Sequence, residues 1–328
     1  MVDTASTRPR DREARGFLTS LAFTALAAVR DVYFAAVFQR VSPLLVGVVA
    51  FSLCSIVFLP IALARSSASV VRLLRRPRDL VWVNVTTALA WISFFYALQT
   101  VEPLLVQVLF SGIGPLAIVW LDGGDRSRGE RVGHLGLLLT IVLAGGVALA
   151  GLSGGARQPF ALALLGVTLA LFAGFSISVS TVLSRRLNDA GVDPTALVAL
   201  RFPGAALLAA ALMRPAGQSL AALGARETVV SVAGASLLLV VAPIYVNQVG
   251  IALASPWTVR VALAVGPVLV FALQLADGRL SSSPYSLTCA VLYGVVAVTA
   301  AVLRRRAIAR GLQPITHPPL GWRIWPVK

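Results

Sequence analysis

The sequence predicts an all-α integral membrane protein with ten transmembrane helices, built as two inverted five-helix repeats. Three observations predict this fold class. Apolar stretches long enough to span a bilayer recur along the whole chain, basic residues concentrate in alternate loops, and the second half repeats landmarks of the first. Together they leave no stretch for a soluble domain of useful size.

The composition is that of a chain embedded in lipid. Of its 328 residues, 58% are hydrophobic and 12% are charged, with a mean hydropathy of +0.86, whereas soluble domains carry about 25% charged residues. A helix needs about 20 apolar residues to cross a hydrocarbon core of roughly 30 Å. The candidate spans are residues 17–38, 43–64, 80–99, 102–121, 134–152, 160–183, 194–213, 227–250, 256–276 and 284–303.

The basic residues in the loops orient these spans. If the N-terminus is inside, twenty of the 28 basic residues lie in cytoplasmic segments and five in external ones. Because cytoplasmic loops carry an excess of Lys and Arg, this bias predicts a multi-pass protein of the cell (inner) membrane with both termini cytoplasmic. A miscounted helix would scramble the asymmetry, so the bias also supports ten spans. The other three, Arg30, Arg201 and Arg260, lie inside spans.

The two halves of the chain share landmarks in the same order. The second span begins "SPLLVGVVAF" and the seventh "DPTALVALRF", while the fourth ("EPLLVQVLFSGIGPL") and the ninth ("SPWTVRVALAVGPVL") each have an early proline and a later Gly-Pro. Such self-similarity indicates two copies of one unit. Because a five-helix unit is odd, the copies enter the membrane from opposite sides. Inverted repeats recur in secondary transporters, which bind substrate near the midplane.

The stretch "FFYALQTVEPLLVQVLFSGIGPLAIVWL", followed by "RGERVGHLGLLLTIVLAGGVALAG", resembles the EamA-type half of the drug/metabolite transporter superfamily. The resemblance spans nearly the whole chain and implies a transporter. The implied organisation is a cytoplasmic tail at 1–16, EamA-like repeats at 17–152 and 160–303, and a cytoplasmic tail at 304–328. The sequence departs from the family's pattern at Ala50, where arginine is often found, and at "DGRL", which lacks a second Gly-Glu-Arg glutamate.

Arg30 and Asp31 lie side by side in the apolar run "TALAAVRDVYFAAVFQRVSP". One interpretation is a cleaved signal peptide with its small-residue site at residues 25–27. Against it, the apolar run resumes at once, and cleavage would delete the repeat partner of the sixth span. A retained helix over residues 17–38 would be roughly 33 Å long, which places the pair just external of the midplane.

An intramembrane charge costs about 2.5–3.5 kcal/mol on the translocon scale, so the pair should face protein or water. Neighbours on a helix lie about 100° apart, and we therefore expect Arg30 and Asp31 to find partners on other helices. The pair either fixes packing as a buried ion-pair network or binds substrate or protons. Asp31 is the one carboxylate well inside a predicted span, which makes it the proton-coupling candidate.

The candidate substrate-binding residues combine the charged and polar side chains of the spans with nearby aromatic ones. They are Arg30, Asp31, Trp91, Tyr96, Gln107, Tyr245, Asn247 and Arg260. Gln107 and Arg260 each follow the early proline of their span by four positions, which favours a polar pair lining both sides of one cavity. The alternative for Arg260 is a side chain that snorkels to the interface.

Two further residues are predicted to act in gating or structure. Arg201 matches the family's Arg-Phe position, and substrate contact is the alternative to its gating or structural role. Pro243 frees a backbone carbonyl and kinks the eighth span. Structural alternatives stay open for three candidate residues. They are interface anchoring or core packing for Trp91 and Tyr96, and helix-to-helix hydrogen bonding for Asn247.

Three intramembrane arginines against one aspartate favour a carboxylated substrate. We expect a secondary transporter that exports a small carboxylated or zwitterionic metabolite, amino-acid-like or an organic acid, by alternating access, with proton coupling as an option. The alternatives are an exporter of cationic drug-like compounds and a passive facilitator or channel of the same fold. The expected partners are a small-molecule substrate and the lipid bilayer, for a monomer or a homodimer.

Other function classes lack the residues they need. The chain has one lysine, Lys328, so the lysine of a phosphate-binding Walker loop is absent and no nucleotide is expected. Since the arginines lie mostly in short loops, no nucleic-acid partner is expected either. His134 at a helix end and His317 in the tail are not placed for metal or serine chemistry, so we expect no enzyme, catalytic residue, metal or cofactor. Cys54 and Cys289 lie in apolar runs, which predicts buried thiols.

Overall fold

A computed structural model describes residues 9–122, 128–153, 158–217, 226–278 and 283–309 of the chain. In sequence order the helices are α1 (Pro9–Val37), α2 (Pro43–Leu74), α3 (Pro77–Thr100), α4 (Pro103–Asp122), α5 (Arg128–Leu149), α6 (Phe160–Asp189), α7 (Pro194–Arg201), α8 (Pro203–Met213), α9 (Arg226–Ser236), a π-helical segment (Leu237–Val241), α10 (Ala242–Leu253), α11 (Pro256–Leu263), α12 (Gly266–Asp277) and α13 (Pro284–Ala309).

Eight helical segments of the described chain are long and apolar enough to cross a membrane. They are Asp11–Val37, Pro43–Leu74, Pro77–Thr100, Arg131–Leu149, Phe160–Asp189, Pro194–Met213, Val230–Leu253 and Pro256–Asp277. Shorter apolar helices run over Pro103–Ile118 in α4 and Pro284–Ala300 in α13. Large apolar side chains such as Leu18, Leu207 and Leu238 stand more than 60% exposed, as expected of a surface that faces lipid. The prediction of a helical multi-pass membrane protein is confirmed.

Proline sets where most of these helices start, because its missing N–H is not needed in the first turn and its φ already suits a helix. The prolines in first position are Pro9, Pro43, Pro77, Pro103, Pro194, Pro203, Pro256 and Pro284. Side-chain caps complete several starts. The Asp193 carboxylate accepts a hydrogen bond from the backbone N–H of Thr195 at 2.8 Å, and the Ser255 hydroxyl accepts one from Thr258 at 3.2 Å.

Helix α1 begins about two turns earlier than the sequence predicts. Its first residue is Pro9, inside the segment predicted as a tail. The added turns are fastened to the junction between α10 and α11, where Arg12 Nη2 donates to the Ala252 carbonyl at 2.9 Å and the Glu13 carboxylate accepts from the Ser255 N–H at 3.1 Å. Hydropathy could not indicate this extension, because polar contacts hold it.

The seventh predicted span is broken into α7 and α8 in a way that orients a buried arginine. Pro203 donates no backbone hydrogen bond, so the helix cannot continue regularly through it. Asn84 of α3 supplies partners at the break: its Nδ2 donates to the Leu200 carbonyl at 2.8 Å, and its Oδ1 accepts from the Gly204 N–H at 2.9 Å. The break turns Arg201, the last residue of α7, into the protein interior.

Two other segments of the second half are also irregular. The π-helical turn Leu237–Val241 directly precedes α10, whose second residue is Pro243, so the irregularity predicted at this proline is present. The ninth predicted span divides into α11 and α12 just before Gly266. Broken helices at membrane depth are tolerated where protein or a cavity surrounds them.

The two halves of the chain interleave. Helix α1 packs against α10, α11 and α12 of the second half, and α6 packs against α3 and α4 of the first. Helix α2 packs against α7 and α8, and α5 packs against α13. Helices α1, α3, α4, α6, α7, α10, α11 and α12 all contribute to the walls of one central cavity.

Candidate functional site

The central cavity has a polar and an apolar part. Its polar lining residues are Thr24, Arg30, Gln107, Thr181, Arg201, Asn247 and Arg260. The apolar walls include the aromatic side chains Phe23, Trp91, Phe94, Phe110 and Phe202. A concave site with apolar walls and a few converging polar groups is typical of a small-molecule site.

Arg30 and Asp31 form a direct ion pair in the cavity wall. Arg30 Nε and Nη2 each lie 2.7 Å from Asp31 Oδ1. The 100° between helical neighbours did not predict this direct pairing, which the long arginine side chain makes possible, but a partner on another helix is present as expected. Gln107 of α4 donates from Nε2 to the other oxygen, Oδ2, and accepts at its Oε1 from the Ser111 hydroxyl at 3.2 Å. Asp31 is fully buried, with both oxygens engaged.

The guanidinium of Arg30 also lies within an aromatic cluster. Its carbon is 4.8 Å from the ring centre of Trp91, 5.5 Å from that of Phe94 and 6.0 Å from that of Phe23. Cation–π attraction at such distances stabilises a desolvated cation by about 2 kcal/mol or more. These rings therefore fix Arg30 at the cavity, where its Nη1 has no hydrogen-bond partner among the described residues.

Arg201 is 3% exposed and is held by neutral groups. Its Nε donates to the Thr87 hydroxyl at 2.7 Å and its Nη1 to Gln248 Oε1 at 2.9 Å. The Thr87 hydroxyl in turn lies 2.9 Å from the hydroxyl of Ser180 on α6. The chain of contacts fixes the guanidinium without giving it a counter-charge.

Arg260 is 2% exposed and does not snorkel to an interface. Its Nη2 donates to the Thr181 hydroxyl at 3.2 Å, while Nε and Nη1 have no hydrogen-bond partner in the described part of the chain. The absent side chain of Gly114 on α4 makes room for it, since a Cβ there would lie 3.0 Å from Arg260 Cδ. Two guanidinium nitrogens are thus buried without acceptors.

The charges at the cavity do not balance. Within the described residues the ion pair at the site is Arg30–Asp31, and the acceptors of Arg201 and Arg260 are hydroxyl and amide oxygens. Leaving a buried charge without its partner typically destabilises a protein by about 3–5 kcal/mol. An anion bound in the cavity would supply the missing counter-charge and the missing acceptors.

The structure brings most of the predicted site residues together. Arg30, Trp91, Gln107, Arg201, Asn247 and Arg260 line the cavity, and Asp31 lies directly behind them. Gln107 of α4 and Arg260 of α11 both line this cavity, and Arg260 also packs on Gly114 of α4.

Two predicted substrate-binding residues lie elsewhere. The Tyr245 ring stacks on Phe58 of α2 at 5.0 Å, because it stands on a different face of α10 from Asn247. Tyr96 packs against the apolar cluster that contains Leu44 and Met213. Pro243 is buried at the start of α10 beside the lining residue Ile244, which fits the structural role predicted for it.

Sequence reasoning missed Thr181, which anchors Arg260. Gly166, Ala170 and Gly174 recur every four residues along one face of α6, and Ile177 and Thr181 continue that face by steps of three and four residues. Both line the cavity. Following this face one turn further would have found them.

Hydrogen bonds join helices at both ends of the cavity. At the end where α1 begins, Arg185 Nη1 donates to the carbonyls of Ala254 at 2.8 Å and Ala252 at 3.1 Å, beside the contacts of Arg12 and Glu13. At the opposite end Gln99 Nε2 donates to the Phe38 carbonyl at 3.1 Å. The first set ties the start of α1 and the last turns of α6 to the end of α10, and the second ties the end of α3 to the end of α1.

No family model and no curated protein sequence matches the chain. A solved structure, described only as the crystal structure of a protein, resembles it with a TM-score of 0.65 and 21% sequence identity, over 90% of this chain and 98% of that one. An identity this low shows a shared helical fold and carries no activity or substrate from one protein to the other.

Proposed function

We propose that the protein is a secondary transporter that moves a small carboxylated metabolite across the cell (inner) membrane by alternating access. The observation that carries the proposal is the pair of buried arginines, Arg201 and Arg260, which line a central cavity and have no carboxylate partner among the described residues. Arginine forms strong charge-assisted hydrogen bonds with carboxylates. The unpaired nitrogens of Arg260 supply donors for such bonds.

The proposal includes ten spans in two inverted repeats, with α4 and α13 as the two spans added to the eight longer segments and both termini cytoplasmic. A reciprocal contact supports it. Arg260 approaches Gly114, and Gln107 approaches Gly266, where a Cβ would lie 3.6 Å from Gln107 Oε1. Gln107 and Arg260 each follow the early proline of their span by four positions, and each glycine directly precedes the later proline, although Gly266 comes one position earlier than Gly114 relative to these residues. Each half therefore contributes a similar contact to the other.

The pairing of helices supports the same symmetry. The first span (α1) packs against the eighth (α10) and the ninth (α11–α12), and its repeat counterpart, the sixth (α6), packs against the third (α3) and the fourth (α4). The second span packs against its own counterpart, the seventh (α7–α8), and the fifth against its counterpart, the tenth (α13). The sequence resemblance to the EamA-type half of the drug/metabolite transporter superfamily agrees with this arrangement. Both ends of the cavity have polar contacts that could break alternately as the halves rock.

Asp31 is the proposed proton-coupling residue. It is the buried carboxylate at the cavity, and it connects Arg30 of α1 with Gln107 of α4. Protonation would remove the charge that holds Arg30 and would free that guanidinium for another anion. A cationic substrate is less well supported, because both Asp31 oxygens are already engaged.

Counterflow in liposomes tests the proposed function. Purified protein would be reconstituted in vesicles loaded with an unlabelled carboxylate mixture, and uptake of labelled carboxylates and of labelled organic amines would be followed with and without a pH gradient. We expect saturable carboxylate counterflow and accumulation above equilibrium when a gradient is imposed. Uptake of amines alone would contradict the proposal, and carboxylate uptake that never exceeds equilibrium would indicate a passive facilitator.

A further inference from the structure

We infer that the transported solute is a small dianion, held between Arg201 and Arg260, and that amino-acid zwitterions are rejected. The inference rests on the proposed transport function and narrows its substrate. It decides between the two substrate types, organic acid and amino acid, that the sequence leaves open.

The anchors of the two arginines are connected through α6. Arg260 donates to Thr181, while Arg201 donates to Thr87, whose hydroxyl contacts Ser180. Ser180 and Thr181 are consecutive in α6, so their Cα atoms are about 3.8 Å apart. Arg260 thus contacts α6 directly, Arg201 is linked to the neighbouring residue of α6 through Thr87, and both arginines line the same cavity.

Neutralising Arg201 and Arg260 together requires two negative charges. Arg30 is neutralised by Asp31, whereas Arg201 and Arg260 have only uncharged acceptors among the described residues. A monoanion would leave one buried positive charge, while a dianion neutralises both. Spare donors are present as well: Arg260 Nε and Nη1, and Gln248 Nε2 next to Arg201, have no partner in the described chain.

An ammonium group finds no counter-charge in this cavity. The described lining contains no carboxylate, and Asp31 behind it already binds Arg30 and Gln107. The unpartnered oxygen at the site is Asn247 Oδ1, which can accept one hydrogen bond from a hydroxyl but cannot offset a cation beside two arginines. Binding an amino acid would bury its ammonium near like charges, which is unfavourable.

A matched set of solutes tests the inference. Succinate, malate and L-aspartate share one dicarboxylate skeleton and carry hydrogen, hydroxyl and ammonium, respectively, at the same carbon. Butyrate removes one charge, and glycerol 3-phosphate supplies a dianion from a phosphate group. We expect succinate and malate to compete with labelled succinate in counterflow at similar concentrations, and L-aspartate and butyrate to need concentrations at least tenfold higher.

Arginine variants test whether the preference for succinate over butyrate depends on Arg260. Arg260→Gln should raise the succinate KM at least tenfold and reduce the preference for succinate over butyrate, while Arg260→Lys should retain part of that preference. Arg40→Gln removes the same charge from an exposed turn and should change neither quantity. Thermal unfolding of each purified variant separates loss of selectivity from loss of fold.

The results distinguish a failure of the dianion site from a failure of carboxylate transport itself. Preference for glycerol 3-phosphate or for succinate supports a dianion site and identifies which group the natural substrate carries. Counterflow of butyrate or L-alanine as effective as that of succinate would overturn the dianion, and counterflow of L-aspartate as effective as that of succinate would overturn the rejection of zwitterions. Either result would leave a carboxylate transporter in place. If no carboxylate or phosphate compound moves at all, the proposed function fails together with the inference.

Discussion

Arg30 and Asp31, consecutive residues of α1, form an ion pair with 2.7 Å between Arg30 Nη2 and Asp31 Oδ1 in the wall of the central cavity. The pair is sealed by Gln107 on one side and by the rings of Trp91 and Phe94 on the other. It therefore joins three helices, α1, α3 and α4, in the wall of the cavity.

Asp31→Asn should abolish the pH-dependence of transport. The substitution keeps the size of the side chain and removes the proposed titrating group at the cavity. Counterflow of labelled succinate would be measured across a pH series in the wild type and in the variant. A variant with the wild-type pH profile would remove Asp31 from the coupling mechanism.

Arg30→Gln should destabilise the protein, and the double variant Arg30→Gln/Asp31→Asn should recover much of the loss. The single change strands a fully buried carboxylate, at a cost of about 3–5 kcal/mol, whereas the double change removes both charges. Thermal unfolding in detergent would measure both. Equal destabilisation of the single and double variants would mean that Asp31 does not depend on Arg30 for its compensation.

Trp91→Leu should raise the substrate KM several-fold, because the indole is the ring nearest to the Arg30 guanidinium and fixes its position. Tyr245→Phe is the matched aromatic control. Its ring stacks on Phe58 away from the cavity, and the phenyl ring preserves that stack. A larger effect on KM from Tyr245→Phe than from Trp91→Leu would contradict the placement of the site.

Gly174→Ala should lower stability by about 1–3 kcal/mol, since an added methyl group would overlap Phe110 and Ile113 of α4. The control is Gly146→Ala on α5, where a Cβ would meet nothing within 4 Å. In that helix interior alanine should be neutral or stabilising by about 0.5–1 kcal/mol. Thermal unfolding midpoints compare the two, and the reverse order would rule out the close packing of α6 on α4.

The membrane-embedded helical class could be predicted from sequence, because lipid forces long apolar helices and proline marks where they start. Helix ends that are held by polar contacts could not be predicted from sequence. Residues 9–16 join α1 through Arg12 and Glu13, and α2 runs on to Leu74 past a kink at Ser66. Hydropathy records neither the polar contacts of Arg12 and Glu13 nor the kink at Ser66.

The sequence predicted how deep in the membrane the site residues lie along their helices, but it predicted less well which face of the helix each one occupies. Asn247 and Tyr245 are two positions apart and so stand on nearly opposite faces of α10, and one lines the cavity while the other packs on α2. The direct Arg30–Asp31 bond was missed because an argument from Cβ directions ignores the length of an arginine side chain. Thr181 was missed although the spacing of small residues in α6 pointed to its face.

Stabilisation of the purified protein by succinate tests most directly whether the arginines of the central cavity bind the substrate. It would be compared between wild type, Arg260→Gln and Arg40→Gln. A ligand at 100 times its Kd raises the free energy of unfolding by about 2.7 kcal/mol. We expect a saturable rise in the unfolding midpoint for the wild type and Arg40→Gln, and for Arg260→Gln a smaller rise at the same concentrations, equivalent to at most about 1.4 kcal/mol for a Kd at least tenfold higher. Equal stabilisation of all three proteins would contradict the claim that the arginines of the central cavity bind the substrate.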